Sequence, residues 1–185
     1  MLTKIITQYG YDIDGRIIKN TDGNGNLITG TWGGASGDLD GLDGLLKSVQ
    51  YPTYREDYKF DNRNRKTQVS RILNATTRYT SSSEYDARGN VITQIDALNR
   101  KTRIDYDALS RPIKTTDALN GITQLAYDTR DNLISITDAN GNTTRYEYDK
   151  ANRLLKETKP LGQATLYNYD GNGNLTTRTL SLIHI

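Results

Sequence analysis

The sequence predicts an all-β fold, in which about eight β-hairpins of about 21 residues stack as an antiparallel ribbon. Three observations predict it. A Tyr–Asp pair recurs at a fixed 21-residue step: Tyr85–Asp86, Tyr106–Asp107, Tyr127–Asp128, Tyr148–Asp149 and Tyr169–Asp170. Turn formers fall at matching places in that register, as Gly89–Asn90, Asn120–Gly121, Asn140–Gly141 and Gly173–Asn174. No segment carries an apolar stripe of period about 3.6, the mark of an amphipathic helix. In a repeat of this size each unit buries its apolar side only against its neighbours, so function belongs to the assembled surface.

Counting Tyr as position 1 and Asp as position 2, repeats are expected to begin at residues 11, 39, 60, 85, 106, 127, 148 and 169. The first opens on Tyr11–Asp12, and Asp22 falls at its position 12, as do Asp96, Asp117 and Asp138 in later repeats. Trp32 stands where the next Tyr is due, and a Gly-rich insertion runs from Trp32 to Asp38 before Leu39–Asp40 resumes the register. Phe60–Asp61 opens a repeat of 25 residues, whose excess is assigned to Thr80-Ser81-Ser82-Ser83-Glu84. The ribbon therefore occupies residues 1–179, and no second domain is indicated.

Within one repeat, Tyr146 and Tyr148 alternate with charged residues and share a strand face. Asp149-Lys150-Ala151-Asn152-Arg153 forms one kind of turn and Asp138-Ala139-Asn140-Gly141-Asn142 a second kind, in which Asn-Gly favours positive φ. Packing between repeats is assigned to Tyr85, Tyr106, Tyr127, Tyr148 and Tyr169. Turn formation is assigned to Gly89, to Asn120 with Gly121, and to Asn140 with Gly141. Pro52, Pro112 and Pro160 sit at or near turns, where a missing amide donor is tolerated. Apolar residues make up only 35%, and 13 Tyr stand against one Phe and one Trp. A ring that is apolar along its body and polar at its tip suits a thin sheet.

The remaining composition narrows the chemistry. Net charge is +2, and the densest basic stretch (Arg63, Arg65, Lys66, Arg71, Arg78) lacks a nucleic-acid-binding motif, so no nucleic-acid partner is expected. No apolar run approaches the roughly 20 residues that span a bilayer, so no membrane span is expected, and no signal peptide is visible. With no Cys and a single His at position 184, neither a Ser–His or Cys–His pair nor a zinc site can be assembled. Asp at positions 2 and 12 recurs too often to mark one acid–base pair and is assigned to turn capping. Asp22-Gly23-Asn24-Gly25-Asn26 and Asp170-Gly171-Asn172-Gly173-Asn174 space oxygens like the start of a calcium loop. They lack the Gly at loop position 6 and the Glu at loop position 12. Gly33 to Asp40 is similar to a calcium-binding nonapeptide but does not recur. Asn74-Ala75-Thr76, Asn142-Thr143-Thr144 and Asn174-Leu175-Thr176 match the glycosylation triplet, as an Asn- and Thr-rich chain does by chance. No phosphate loop or dinucleotide fingerprint appears. No catalytic, cofactor-binding or metal residue is assigned, no cofactor is expected, and the chain is expected not to be an enzyme.

The run Tyr127-Asp128-Thr129-Arg130-Asp131-Asn132-Leu133, with Asp138-Ala139-Asn140-Gly141 and Thr144-Arg145-Tyr146-Glu147-Tyr148-Asp149, resembles the YD-repeat or Rhs-repeat family. The likeness extends from Tyr11 to about Thr179. It departs at Pro112 in place of an aliphatic residue, at Lys159 in place of Asp, and in the loose repeats before Tyr85. What the resemblance implies is a β-ribbon spiralling into a hollow shell, of which this chain is a part. In polymorphic toxins and insecticidal toxin complexes such a shell encloses a C-terminal toxin domain; in teneurins it is an adhesive scaffold. The implied partners are the rest of its own shell and an enclosed toxin, with secretion-system or cell-surface components. The implied location is secreted or at the cell surface. The family's self-cleaving aspartates have no counterpart here. The alternative reading is a surface adhesion or carbohydrate-binding module with exposed tyrosines as sugar platforms.

After Thr179 the register breaks into Leu180-Ser181-Leu182-Ile183-His184-Ile185. These six residues are what the transposon mosaic end CTG TCT CTT ATA CAC ATC encodes, so residues 180–185 are read as a non-native tail.

Overall fold

Every repeat is made of short strands because its residues alternate and its Asp-rich turns break the chain every five or six residues. A computed structural model describes residues 7–33 and 44–181. These form two compact units, Met1–Lys101 and Thr102–Ile185. The first contains β1 (Gln8–Tyr11), β2 (Ile17–Thr21), β3 (Leu27–Trp32), β4 (Leu46–Gln50), β5 (Arg55–Phe60), β6 (Lys66–Ile72), β7 (Arg78–Tyr85) and β8 (Val91–Ile95). The second contains β9 (Lys101–Tyr106, apart from its opening residue), β10 (Pro112–Thr116), β11 (Ile122–Tyr127), β12 (Leu133–Thr137), β13 (Thr143–Tyr148), β14 (Leu154–Thr158), β15 (Ala164–Tyr169) and β16 (Leu175–Ser181). Within each unit the strands lie in chain order, each antiparallel to its neighbour. Among the described residues there is no helix, and the all-β expectation holds.

The 21-residue step now has a physical composition. Tyr127 ends a strand, Asp128–Asn132 makes a loop, and β12 supplies five residues. Asp138–Asn142 makes a second loop, and β13 supplies six residues ending on Tyr148. The two hairpin ends differ in one respect. At the Asp138 loop the register runs unbroken from Ser135↔Arg145 to Thr137↔Thr143. At the tyrosine end Tyr127 faces Leu133 but Ala126 faces Ser135, which leaves Ile134 as an extra residue. The same bulge recurs wherever a position-1 Tyr, Phe60 or Trp32 closes a described hairpin. A bulge bends its strand and raises the local right-handed twist, so one such step is built into each repeat.

Two expectations change in detail. The two turns are not different kinds, as the next subsection shows. The excess of the 25-residue repeat is also not a local insertion at Thr80–Glu84. It is shared, because β6 has seven residues where β12 has five, and β7 has eight where β13 has six. Lengthening both strands by two keeps every side chain on its original face. The Leu39–Asp40 start and the nonapeptide-like stretch from Gly34 onward lie outside the described residues. The described part of that hairpin is closed by Trp32 opposite Leu46. At the other end β16 continues through Leu180 and Ser181, paired with Thr165 and Ala164, where an Asp-led loop would otherwise begin.

Neither unit encloses an apolar core. Among the described residues the buried side chains are those of Val49, Ser70, Thr93 and Thr165, and no large side chain is fully buried. Most strand rings and aliphatic side chains are half-covered by neighbouring strands, while Leu98, Leu109, Leu119 and Leu161 in the loops are exposed. Burial contributes only part of what it would in a two-layered domain, and local hydrogen bonds carry a larger share.

Backbone conformation at the loops is therefore expected to matter. Gly89 has φ +98 with open space around its Cβ position, whereas Gly171 is equally open and lacks a positive φ. Gly89→Ala should cost about 1 kcal/mol and Gly171→Ala close to nothing, as read from urea midpoints of the two variants. Equal midpoints would contradict this account.

Candidate functional site

The repeated element is a five-residue loop led by aspartate. In Asp128–Asn132 the Asp128 amide donates to the Asn132 carbonyl (2.9 Å), and the Asp131 amide donates to the Asp128 carbonyl (3.2 Å). Asp128 Oδ1 accepts the amides of Arg130 (2.8 Å) and Asn132 (2.9 Å), and Oδ2 accepts the Asn132 side-chain amide (2.9 Å). The Asp138 loop repeats this pattern through Asn140, Gly141 and Asn142. Positions 2 and 12 thus lead the same closure. Its fourth residue always has positive φ, whether Gly (Gly89, Gly141) or not (Asn64, Asn99, Ser110, Asn120, Asp131, Asn152). This is why Asn and Gly dominate there. Gly121 serves a different need. Its φ is ordinary, but an added Cβ would lie 2.6 Å from an Asp117 carboxylate oxygen.

The loops are joined by a staple. The Tyr127 hydroxyl donates to the Pro112 carbonyl (3.0 Å) in the preceding repeat, Tyr148 to Leu133 (3.1 Å) and Tyr169 to Leu154 (2.9 Å). Tyr85 reaches Lys66 (2.7 Å), and Trp32 makes the equivalent bond through its indole N–H to Ile17 (3.0 Å). Only a carbonyl is needed at the receiving position, so Pro112 fits there despite lacking an N–H.

At position 6 an arginine crosses the same junction. Arg111 Nε pairs with Asp107 Oδ2 in its own loop (2.7 Å), and the guanidinium lies 4.7 Å over the Tyr127 ring. Its Nη1 donates to the Asp128 carbonyl of the next loop (3.3 Å) and to Asp131 (2.6 Å). Arg65 over Tyr85 and Arg153 over Tyr169 repeat the arrangement. Arg16 over Trp32 is a looser version at 5.8 Å. Where position 6 is Asn132, its amide bonds Asn152 Oδ1 (2.9 Å) and Arg130 takes over the link to the Asp149 carbonyl (2.9 Å). Sequence reasoning missed the arginines. Their signal was present in Arg65, Arg111 and Arg153 standing five residues after position 1.

The tyrosines assigned to packing hold that role in a modified form. All five rings are half-buried. Tyr85, Tyr127 and Tyr169 each have the hydroxyl bonded and the ring beneath a guanidinium. Carboxylates that the calcium-like loops would offer are engaged as well. Asp22 Oδ1 accepts the amides of Asn24 and Asn26, and Asp170 does the same for Asn172 and Asn174. Among the described residues no three His, Cys, Asp or Glu side chains converge on a metal-sized position. Lys159 replaces the loop aspartate without opening the loop, which its backbone closes at 2.8 Å.

The Asp-led hairpin pair and its staple place the chain among known proteins. The sequence model described as RHS Repeat matches residues 85–122, 127–164 and 148–181, just over half of the chain. The chain belongs to the RHS-repeat family. Its fold is similar to that in the crystal structure of TcdB2-TccC3-Cdc42, at 17% identity and a TM-score of 0.64. It is likewise similar to that of TcdB2-TccC3 (20%, 0.57) and to a Photorhabdus luminescens Tc holotoxin pore (20%, 0.55). These alignments cover 94% of this RHS-repeat chain and only 11–12% of the larger ones. At such identities the likeness is one of fold. No curated protein matches the chain.

Two predictions follow from the staple and the loops. Tyr127→Phe should cost about 1 kcal/mol for the lost hydroxyl bond, and Tyr127→Ala about 2–3 kcal/mol once half-burial and the cation–ring contact are included. A double-mutant cycle with Arg111→Ala should show coupling of at least about 0.5 kcal/mol; strictly additive losses would refute the staple.

Acid should loosen the loops. The Asn132 side-chain amide holds the Asp128 carboxyl below its usual 3.8, with backbone amides adding to the effect. Asn142 and Asn174 act likewise on Asp138 and Asp170, and the Arg111 amide acts on Asp107. A folded-state value below the unfolded one means that the stabilisation is complete above about pH 4 and is lost as pH falls through the lowered values. Melting temperature should be level from pH 7 to about 5 and fall below about 4; a level profile down to pH 2 would contradict this.

Proposed function

We propose that the chain is a wall segment of a toxin-enclosing shell, a structural rather than catalytic part. The observation that carries this reading is the staple. It links successive repeats by recurring bonds, so the ribbon can lengthen without a core, as a container wall must. Tyr85, Tyr127 and Tyr169 spend their hydroxyls and ring faces on neighbouring repeats, which supports a wall, whereas the exposed Tyr9, Tyr11 and Tyr79 are the rings an adhesion module would use. Similarity of fold to complexes containing TccC3 supports the same reading.

In this proposal residues 1–179 are wall, and residues 180–185 are foreign to it. The partners are the remaining repeats of the same shell, an enclosed toxin polypeptide, and the apparatus that exports the assembly to the outside of the producing cell. The wall's work is exclusion: a continuous backbone ladder separates the enclosed chain from proteases and from its own cell.

Protease protection tests this. The source gene is expressed through its downstream coding sequence and digested with trypsin. The C-terminal polypeptide should survive while the shell is intact and be degraded in urea just sufficient to open it. Digestion as fast as that of the same polypeptide expressed alone would overturn the proposal.

A further inference from the structure

Two loops in the first unit, on either side of the Asp61–Arg65 loop in the chain, lack the leading aspartate. Tyr51 closes directly on Tyr54, amide to carbonyl at 2.8 Å. Leu73–Thr77 has leucine where aspartate would stand, and Asn74 Oδ1 receives the Thr76 (3.0 Å) and Thr77 (2.8 Å) amides instead. The lengthened β6 and β7 carry this second loop beyond the reach of ordinary repeats. Between the two loops lies a groove of about 500 Å³, lined by Pro52, Tyr54, Arg55, Ile72, Leu73 and Arg78 among others. Places where a repeat breaks its own local rules are where function concentrates.

The lining contains two arginines and no carboxylate. Asp57 grips the Arg55 fork from outside the groove, at 2.8 Å. Arg78 is exposed and has no acidic partner among the described residues. Beside it Leu73 is 45% exposed, so an uncompensated cation and an aliphatic patch adjoin. The aromatic ring in the groove is already covered. Tyr51 stacks on Tyr54 at 4.4 Å and the Arg71 guanidinium lies 4.7 Å from the same ring, so both faces are taken and no sugar can stack there.

We propose that this groove binds an acidic peptide segment bearing an aliphatic side chain. A carboxylate pairs with Arg78, and the aliphatic side chain rests on Ile72, Leu73 and Pro52. Pairing with an otherwise uncompensated guanidinium supplies orientation, and the apolar contact supplies part of the affinity.

Fluorescence anisotropy of a short labelled peptide of alternating Leu and Glu, titrated with the full 185-residue chain at low salt, tests the groove. Saturable binding is expected, weakened about ten-fold or more by Arg78→Glu, weakened also by Leu73→Asp, and unchanged by Arg145→Glu. Far-UV circular dichroism checks that each variant keeps its strands, and Arg78→Gln replaces Arg78→Glu if it does not. A Leu–Lys peptide should not bind. The proposal fails if nothing saturates below about 1 mM, or if Arg145→Glu weakens binding as much as Arg78→Glu. It also fails if polygalacturonate displaces the peptide and binds more tightly, which would make the occupant a glycan.

Discussion

The hydroxyls of Tyr85, Tyr127, Tyr148 and Tyr169 each end on a carbonyl of the repeat before, and the attitude of successive hairpins depends on that bond. In a sheet without a covering layer, nothing else obliges one hairpin to hold a fixed attitude to the next beyond the ladder itself. The tyrosine reaches 15 residues back from Tyr127, Tyr148 and Tyr169 alike, and the indole of Trp32 covers the same span. At Tyr85, Tyr127 and Tyr169 the ring that delivers the hydroxyl also offers its face to the arginine of that earlier repeat. One side chain thereby anchors a hydrogen bond, a cation contact and half its apolar surface, a use suited to Tyr far better than to Phe. This favours Tyr over Phe at the first position of the repeat.

Much of this was legible in the sequence, because repetition multiplies weak local signals. The period, the strand pairs, the face shared by Tyr146 and Tyr148, and the capping role of Asp at positions 2 and 12 all follow from alternation and turn chemistry. Trp32 was recognisable as a stand-in by position alone. The identity of the two loops was obscured because their second and third residues vary freely (Lys150–Ala151 against Ala139–Asn140), and only the leading Asp and the fourth residue are constrained. The staple was hidden for another reason. Arg111 belongs in sequence to one turn and in space to two, and a pattern read along the chain does not show which ring a guanidinium covers.

The departures are as informative as the pattern. Pro112 is acceptable because its place demands an acceptor, and Lys159 because the backbone closes the loop without a carboxylate. Tyr51–Tyr54 and Leu73–Thr77 are unlike these, since the first is a shorter loop and the second moves the capping oxygen to Asn74 and is flanked by the longer strands β6 and β7. Substitutions of the first sort preserve the loop, whereas the second sort reshape it.

The paired lengthening of β6 and β7 carries a rule about how such chains grow. A strand that gained a single residue would turn the loop beyond it over, aiming its capping groups at the opposite side. Gains must therefore come in even steps matched across a hairpin, as the passage from 21 to 25 residues does. Evolution can thus raise a crest anywhere along the ribbon by a quantised insertion, leaving the phase of all later repeats undisturbed.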